Sequence, residues 1–154
     1  MVITEEMAVK AYRAWHGAWT EMEGYFGWVA SQQTFSGYVM AQHGPGGQVE
    51  GWRTRTTYKY TSAANTMFQG ICADGAKYAG WLLAKECYTD RDSVLFGARP
   101  VLFIHDEYII ECDEARAEEC GDRLAEIMVE GMRAFIPDVK IEADPEVLDG
   151  PWKK

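Results

Sequence analysis

The chain has 154 residues, 47% of them hydrophobic, with six Trp, eight Tyr and a formal charge of −9. That length and apolar content predict a single domain, 1–154, with a real core, and they exclude a disordered chain. The acidic balance argues against a free-standing nucleic-acid binder held by bulk electrostatics, so any DNA contact must come from a local patch or a partner's basic surface.

Cys72, Cys87, Cys112 and Cys120 form no C-x-x-C pair and sit among apolar residues, which predicts reduced core thiols. No apolar stretch approaches membrane-spanning length, and Met1-Val2-Ile3-Thr4-Glu5-Glu6 lacks the basic start of a signal peptide. A soluble cytoplasmic protein without membrane contact is the expectation.

Thr4 is a good N-cap, and Glu5 and Glu6 follow in the first turn, where the helix dipole favours acids. Apolar residues then recur at helical spacing (Met7, Ala11, Trp15, Ala18, Met22 and on to Val29), predicting a helix within 1–31. Gly17, Gly24 and Gly27 weaken it, so it should depend on tertiary contacts. Residues 37–56 run around His43-Gly44-Pro45-Gly46-Gly47 and predict a hairpin or an ordered loop.

Helical spacing returns over 58–88, interrupted by Gly70, Gly75 and Gly80, where another backbone or a ligand should approach closely. Residues 99–112 carry two apolar runs, Pro100 to Ile104 and Tyr108 to Ile110, joined by His105-Asp106-Glu107, which predicts a hairpin of two buried strands. Asp113 caps a strongly amphipathic helix over 113–136, ended by Pro137. Residues 139–143 alternate like an edge strand with one wet side. This order gives an α+β fold with helices packed on a small antiparallel sheet, and Asp106 near its centre.

Three groups of residues carry chemistry. Asp106 and Glu107 offer the hard oxygen ligands that Mg²⁺ takes in nucleotidyl transfer, where one or two protein carboxylates suffice. Neighbouring strand residues point to opposite faces, so Asp106 is the direct ligand and Glu107 stands behind it. From this tripeptide alone a polar hairpin turn is the stronger reading, and His105 alone says less still. Thr61, Asn65 and Gln69 are spaced four apart, one helix face, and the amides suit the acceptors that every base pair presents in the minor groove, although in isolation an ordinary helix with polar residues facing solvent is the stronger reading. Arg53, Arg55 and Lys59, interleaved with Trp52, Tyr58 and Tyr60, are the local basic concentration that could hold backbone phosphates.

Taken together, these segments resemble the C-terminal part of family A DNA polymerases, the group related to bacterial DNA polymerase I, in its phage-type branch. The likeness is strongest over Ala64-Asn65-Thr66-Met67-Phe68-Gln69-Gly70-Ile71-Cys72-Ala73-Asp74-Gly75-Ala76-Lys77 and Val101-Leu102-Phe103-Ile104-His105-Asp106-Glu107, with Pro137-Asp138-Val139 and Trp152 closing it.

The resemblance implies a palm-like subdomain with the base of the fingers, incomplete relative to the family, in a bacterial or phage-infected cell. Asp106 would match the metal-binding aspartate of the last polymerase motif, Glu107 its acidic neighbour, and His105 would help position the primer end. Asn65 and Gln69 would touch the minor groove of template-primer DNA. Thr61 stands where many members carry Arg, with Lys59 nearby.

The family's other catalytic aspartate, in a D-x-S-x-x-E-L-R-like motif, is absent from this sequence, as is the fingers helix that grips the incoming dNTP. The expectation is therefore a split DNA-directed DNA polymerase, using Mg²⁺ and inactive alone, completed by an upstream polypeptide that carries the missing aspartate and fingers helix. The alternative is a non-catalytic polymerase remnant or accessory DNA-binding protein. A metal-dependent phosphoesterase would need further acids near Asp106 and Glu107.

Overall fold

The structure is a computed structural model and describes residues 3–56, 59–148 and 150. It is α+β, with four α-helices and two small antiparallel sheets among the described residues. The chain divides into two compact units, Met1–Ala41 with Trp52–Phe68, and Gln42–Gly51 with Gln69–Lys154.

In the first unit, helix α1 (Glu5–Ala18) starts at Thr4, whose side chain accepts from the Met7 N–H. Helix α2 (Met22–Ser31) follows, so the helix expected within 1–31 is two. The break falls at Trp19, the C-cap of α1, whose backbone leaves the helical region at φ −124° and ψ 66°. Three glycines around it withhold the propensity that would carry a helix through, and nothing on α1 is buried to enforce it.

Strand β1 (Gln33–Thr34) pairs antiparallel with β2 (Gly37–His43), and β3 (Val49–Arg55) completes that sheet on the other side of β2. The core of this unit is Val29, Tyr38, Met40, Ala63 and Met67, with Tyr25 and Ala64 against it. Tyr25 donates its hydroxyl to the Ala64 carbonyl at 2.6 Å and Tyr60 to that of Phe26 at 3.0 Å. These two bonds tie α2 to the start of helix α3 (Tyr60–Tyr88).

The second unit contains the rest of α3, strands β4 (Arg99–Ile104) and β5 (Glu107–Glu111), and helix α4 (Ala117–Arg133) after a short 3₁₀ turn capped by Asp113. Ala79, Leu83, Cys87, Leu95, Ala98, Cys120 and Ile127 form its core. Helices α3 and α4 approach very closely here, because a Cβ at Gly131 would lie 2.5 Å from that of Ala79. Arg123 of α4 holds Glu86 of α3 through two bonds, Nε to Oε2 at 3.1 Å and Nη2 to Oε1 at 2.5 Å.

Residues 139–143 are not a strand. Their alternation survives as half-buried Ile141 and Ala143 around exposed Glu142. The surface they meet is a helix, however: Ala143 and Pro145 line a groove with Asp122, Ala125 and Val129 of α4. A helix offers no ladder of free backbone groups, so the segment is extended without being paired.

Candidate functional site

Strands β4 and β5 form a two-stranded antiparallel sheet joined by a two-residue turn, His105-Asp106, with Ile104 opposite Glu107. His105 is the left-handed residue of the turn, at φ 56°. Histidine is among the side chains that tolerate this region, and the tight reversal needs one such residue. His105, Asp106 and Glu107 are all exposed, so the three residues predicted to act together do lie together, at the tip of a hairpin.

The strands are not the buried pair that their apolar runs predict. Val101, Leu102 and Phe103 are 40–48% exposed, while Tyr108, Ile109 and Ile110 are half-buried. The reason is topological: among the described residues the sheet has two strands, so Asp106 sits at an end of it rather than at the centre of a larger one. A β-bulge between Pro100 and Leu102 further bends β4 away from regular pairing.

Tyr108 anchors the tip. Its ring stacks on Phe103 with centroids 4.3 Å apart, and its hydroxyl donates to the Ala76 carbonyl of α3 at 2.8 Å. The hydroxyl lies over Gly80, where a Cβ would be only 2.4 Å away, so the close approach expected at the α3 glycines is here a tyrosine. At Gly75 it is Met132 of α4. Burial pushes the Tyr108 hydroxyl pKa above its ordinary value. Sequence reasoning missed this residue, whose signal was its place directly after the acidic pair and its polar atom in an apolar run. It also gave no account of Asp74, the buried carboxylate of α3, which has an interaction partner of its own.

Among the described residues no group of three His, Cys, Asp or Glu side chains could hold a metal ion. Asp106 with Glu107 can supply one or two carboxylate ligands, the number Mg²⁺ takes from a protein while keeping its waters, and no more.

Thr61, Asn65 and Gln69 are all exposed on α3, the first two in the portion belonging to the first unit and Gln69 at the start of the portion in the second. Arg55 and Lys59 are exposed and Arg53 is half-buried; Arg53 and Lys59 have interaction partners. Tyr58 lies outside the described residues. Charge is divided very unequally between the units. The first holds five Lys and Arg against four Asp and Glu, and the second ten against twenty. Every one of the basic DNA-contact candidates therefore lies in the unit that does not repel phosphate.

No helix among the described residues is long and apolar enough to cross a membrane. No family model matches the chain, and neither a curated protein nor a solved structure matches it.

Proposed function

We propose that this chain is the C-terminal, palm-like part of a family A DNA polymerase, completed by an upstream polypeptide. The observation that carries the reading is the hairpin. It holds Asp106 and Glu107 at an exposed tip, next to an apolar strand that is left uncovered. An acid pair that can serve one Mg²⁺ but not the two of a nucleotidyl-transfer centre, on a sheet of two strands among the described residues, is the form expected of half a site.

In the assembled enzyme Asp106 would hold Mg²⁺ directly with Glu107 behind it, and the other carboxylate would come from the upstream polypeptide. Bound Mg²⁺ supplies charge neutralisation at the transferring phosphoryl group. His105, the left-handed residue of the turn, would help position the primer end. Asn65 and Gln69 donate to minor-groove acceptors of the template-primer duplex, sensing pair geometry without reading sequence. Arg53, Arg55 and Lys59, with Thr61 beside them, serve backbone phosphates. The dNTP is gripped by the partner.

Primer extension with Mg²⁺ tests the reading. The chain alone is expected to be silent, and activity is expected on mixing with an upstream polypeptide that carries the missing motifs, with a shift in size on gel filtration. Asp106→Ala should abolish that activity and Glu107→Ala should reduce it less. Robust templated extension by the chain alone would refute the split. Equal loss from the two substitutions would refute the division of roles. A partner that binds without restoring extension would favour a non-catalytic accessory.

A further inference from the structure

Within the first unit, helix α3 buries one face and turns another outward. Ala63 and Met67 are in the core, while Thr61, Asn65 and Phe68, spaced by four and then three residues, are all exposed. Thr61 and Asn65 are polar, as an outward face requires. Phe68 is the exception, 53% exposed and one helical turn from Asn65. Its ring lies tilted against Tyr25 with centroids 4.8 Å apart, and Tyr25 is itself tied to α3 by its bond to the Ala64 carbonyl. The ring is thus supported on one side and remains reachable.

Two observations choose the occupant. The Trp52–Phe68 segment carries Arg53, Arg55 and Lys59 and no Asp or Glu, so the sequence that builds this face supplies cations and no acids. The unit's four acids, Glu5, Glu6, Glu21 and Glu23, lie on or beside α1 and α2. The second observation is the company Phe68 keeps. An amide donor such as Asn65 fits the acceptors that every base pair presents in the minor groove, and minor-groove readers join such amides and cations to an apolar side chain, Phe among them. The sugars that wall this groove decide what the ring accepts. Deoxyribose presents C–H groups, whereas an RNA duplex displays its 2′-hydroxyls there. A phenyl ring pressed on a 2′-hydroxyl strips its water and returns no hydrogen bond.

We propose that Phe68 is the residue by which this face selects a deoxyribose duplex over a ribose one, packing on the sugars beside the base pair that Asn65 touches. The inference rests on the minor-groove role of α3 put forward above, but it needs neither Asp106 nor the upstream polypeptide.

The test is a titration of a labelled blunt DNA duplex, and of an RNA duplex of the same sequence, with the full chain at low salt, read by fluorescence anisotropy. Saturable binding that favours the DNA duplex is expected. Phe68→Ala should narrow the DNA-over-RNA ratio roughly fivefold or more. Phe68→Leu, which stays apolar, should keep most of the ratio. Asn65→Ala should weaken both duplexes alike and leave the ratio in place, because its acceptors occur in both. Phe35→Ala, a fully exposed ring of the same unit, should change nothing. Far-UV circular dichroism shows that each variant is folded.

Absence of DNA-duplex binding by the wild-type chain overturns the proposal, as does a ratio that Phe68→Ala leaves unchanged or that Phe35→Ala narrows equally. A concentration-dependent dimer that Phe68→Ala dissolves would assign the face to a second copy and also overturn it. Extension by the reconstituted assembly together with a ratio indifferent to Phe68 sinks this inference alone. A ratio set by Phe68 in a chain that no upstream polypeptide activates sinks the polymerase reading alone.

Discussion

Gly80 and Tyr108 should behave as one unit in stability, because the tyrosine hydroxyl fills the space a side chain at position 80 would need. A Cβ on Gly80 would meet the hydroxyl oxygen at 2.4 Å and the ring carbon bearing it at 3.2 Å. Gly80→Ala therefore displaces the ring and breaks its bond to the Ala76 carbonyl. The lost hydrogen bond costs about 0.5–1.5 kcal/mol. Forcing the ring off its seat costs about 1–3 kcal/mol, while alanine in a helix returns about 1 kcal/mol. A net loss of about 0.5–3.5 kcal/mol follows.

In a Tyr108→Phe background the oxygen is gone, and the nearest atom is a ring carbon at a tight but tolerable distance. There Gly80→Ala should be neutral or stabilising by up to about 1 kcal/mol. The double-mutant cycle, measured by urea denaturation with circular dichroism, should give a coupling of about 1–3 kcal/mol. Additive effects would show that the hydroxyl does not set the hairpin against α3. Reconstituted activity supplies a second readout, since Gly80→Ala should lower it by moving Asp106, and Tyr108→Phe in the same chain should restore part of it.

Two further tests separate contact from propensity and pair from surface charge. Gly131→Ala puts a methyl 2.5–2.7 Å from Ala79 Cβ, Cα and N, atoms of a helix that must itself move, so a loss of about 1–3 kcal/mol is expected. Gly27→Ala in α2 meets nothing within 4 Å and should gain about 0.5–1 kcal/mol, so equal effects in thermal melts would refute the close helix contact. The Arg123 guanidinium, bonded to Glu86, holds that carboxyl below its ordinary pKa against the opposing effect of burial. Its contribution to stability is present above the ordinary carboxylate range and is lost as pH falls through the lowered value. Arg123→Met should therefore flatten that part of the acid limb of stability against pH, and an unchanged profile would remove the pair from the account.

The elements were legible where side-chain period and turn chemistry agreed. The hairpin at 99–112 was marked by two apolar runs and a polar join, and α3 by periodicity long enough to override its glycines. What escaped was whatever depends on the neighbour rather than on the segment. The alternation at 139–143 is real, but it is satisfied against α4, and period alone does not say whether a wet and a dry side face a strand or a helix. The apolar run of β4 reads as buried, yet burial needs a covering element, and this two-stranded sheet leaves the run exposed. The segregation of charge was hidden because 42–51 belongs to the acidic unit and 52–68 to the other, an interleaving no linear window detects.

The uncovered strand constrains where a completing polypeptide would have to attach. An edge strand invites pairing, and proteins blunt such edges with proline, charge and bulges. In β4 those devices crowd one end: Arg99, Pro100 and the bulge that follows it. From Leu102 to Ile104 the edge carries none of them, and Leu102 and Phe103 are exposed there. This open stretch is the one that leads into Asp106. A strand added along it would cover the apolar side chains and bring its own residues beside the turn, which is where the reading of half a site requires a second carboxylate. Charged substitutions test that geometry. Phe103→Lys should weaken assembly with the upstream polypeptide while leaving the chain folded, whereas Val101→Lys at the bulge should weaken it less. If Val101→Lys were the more damaging of the two, the attachment would lie elsewhere, and the exposure of β4 would have to be explained without a partner strand.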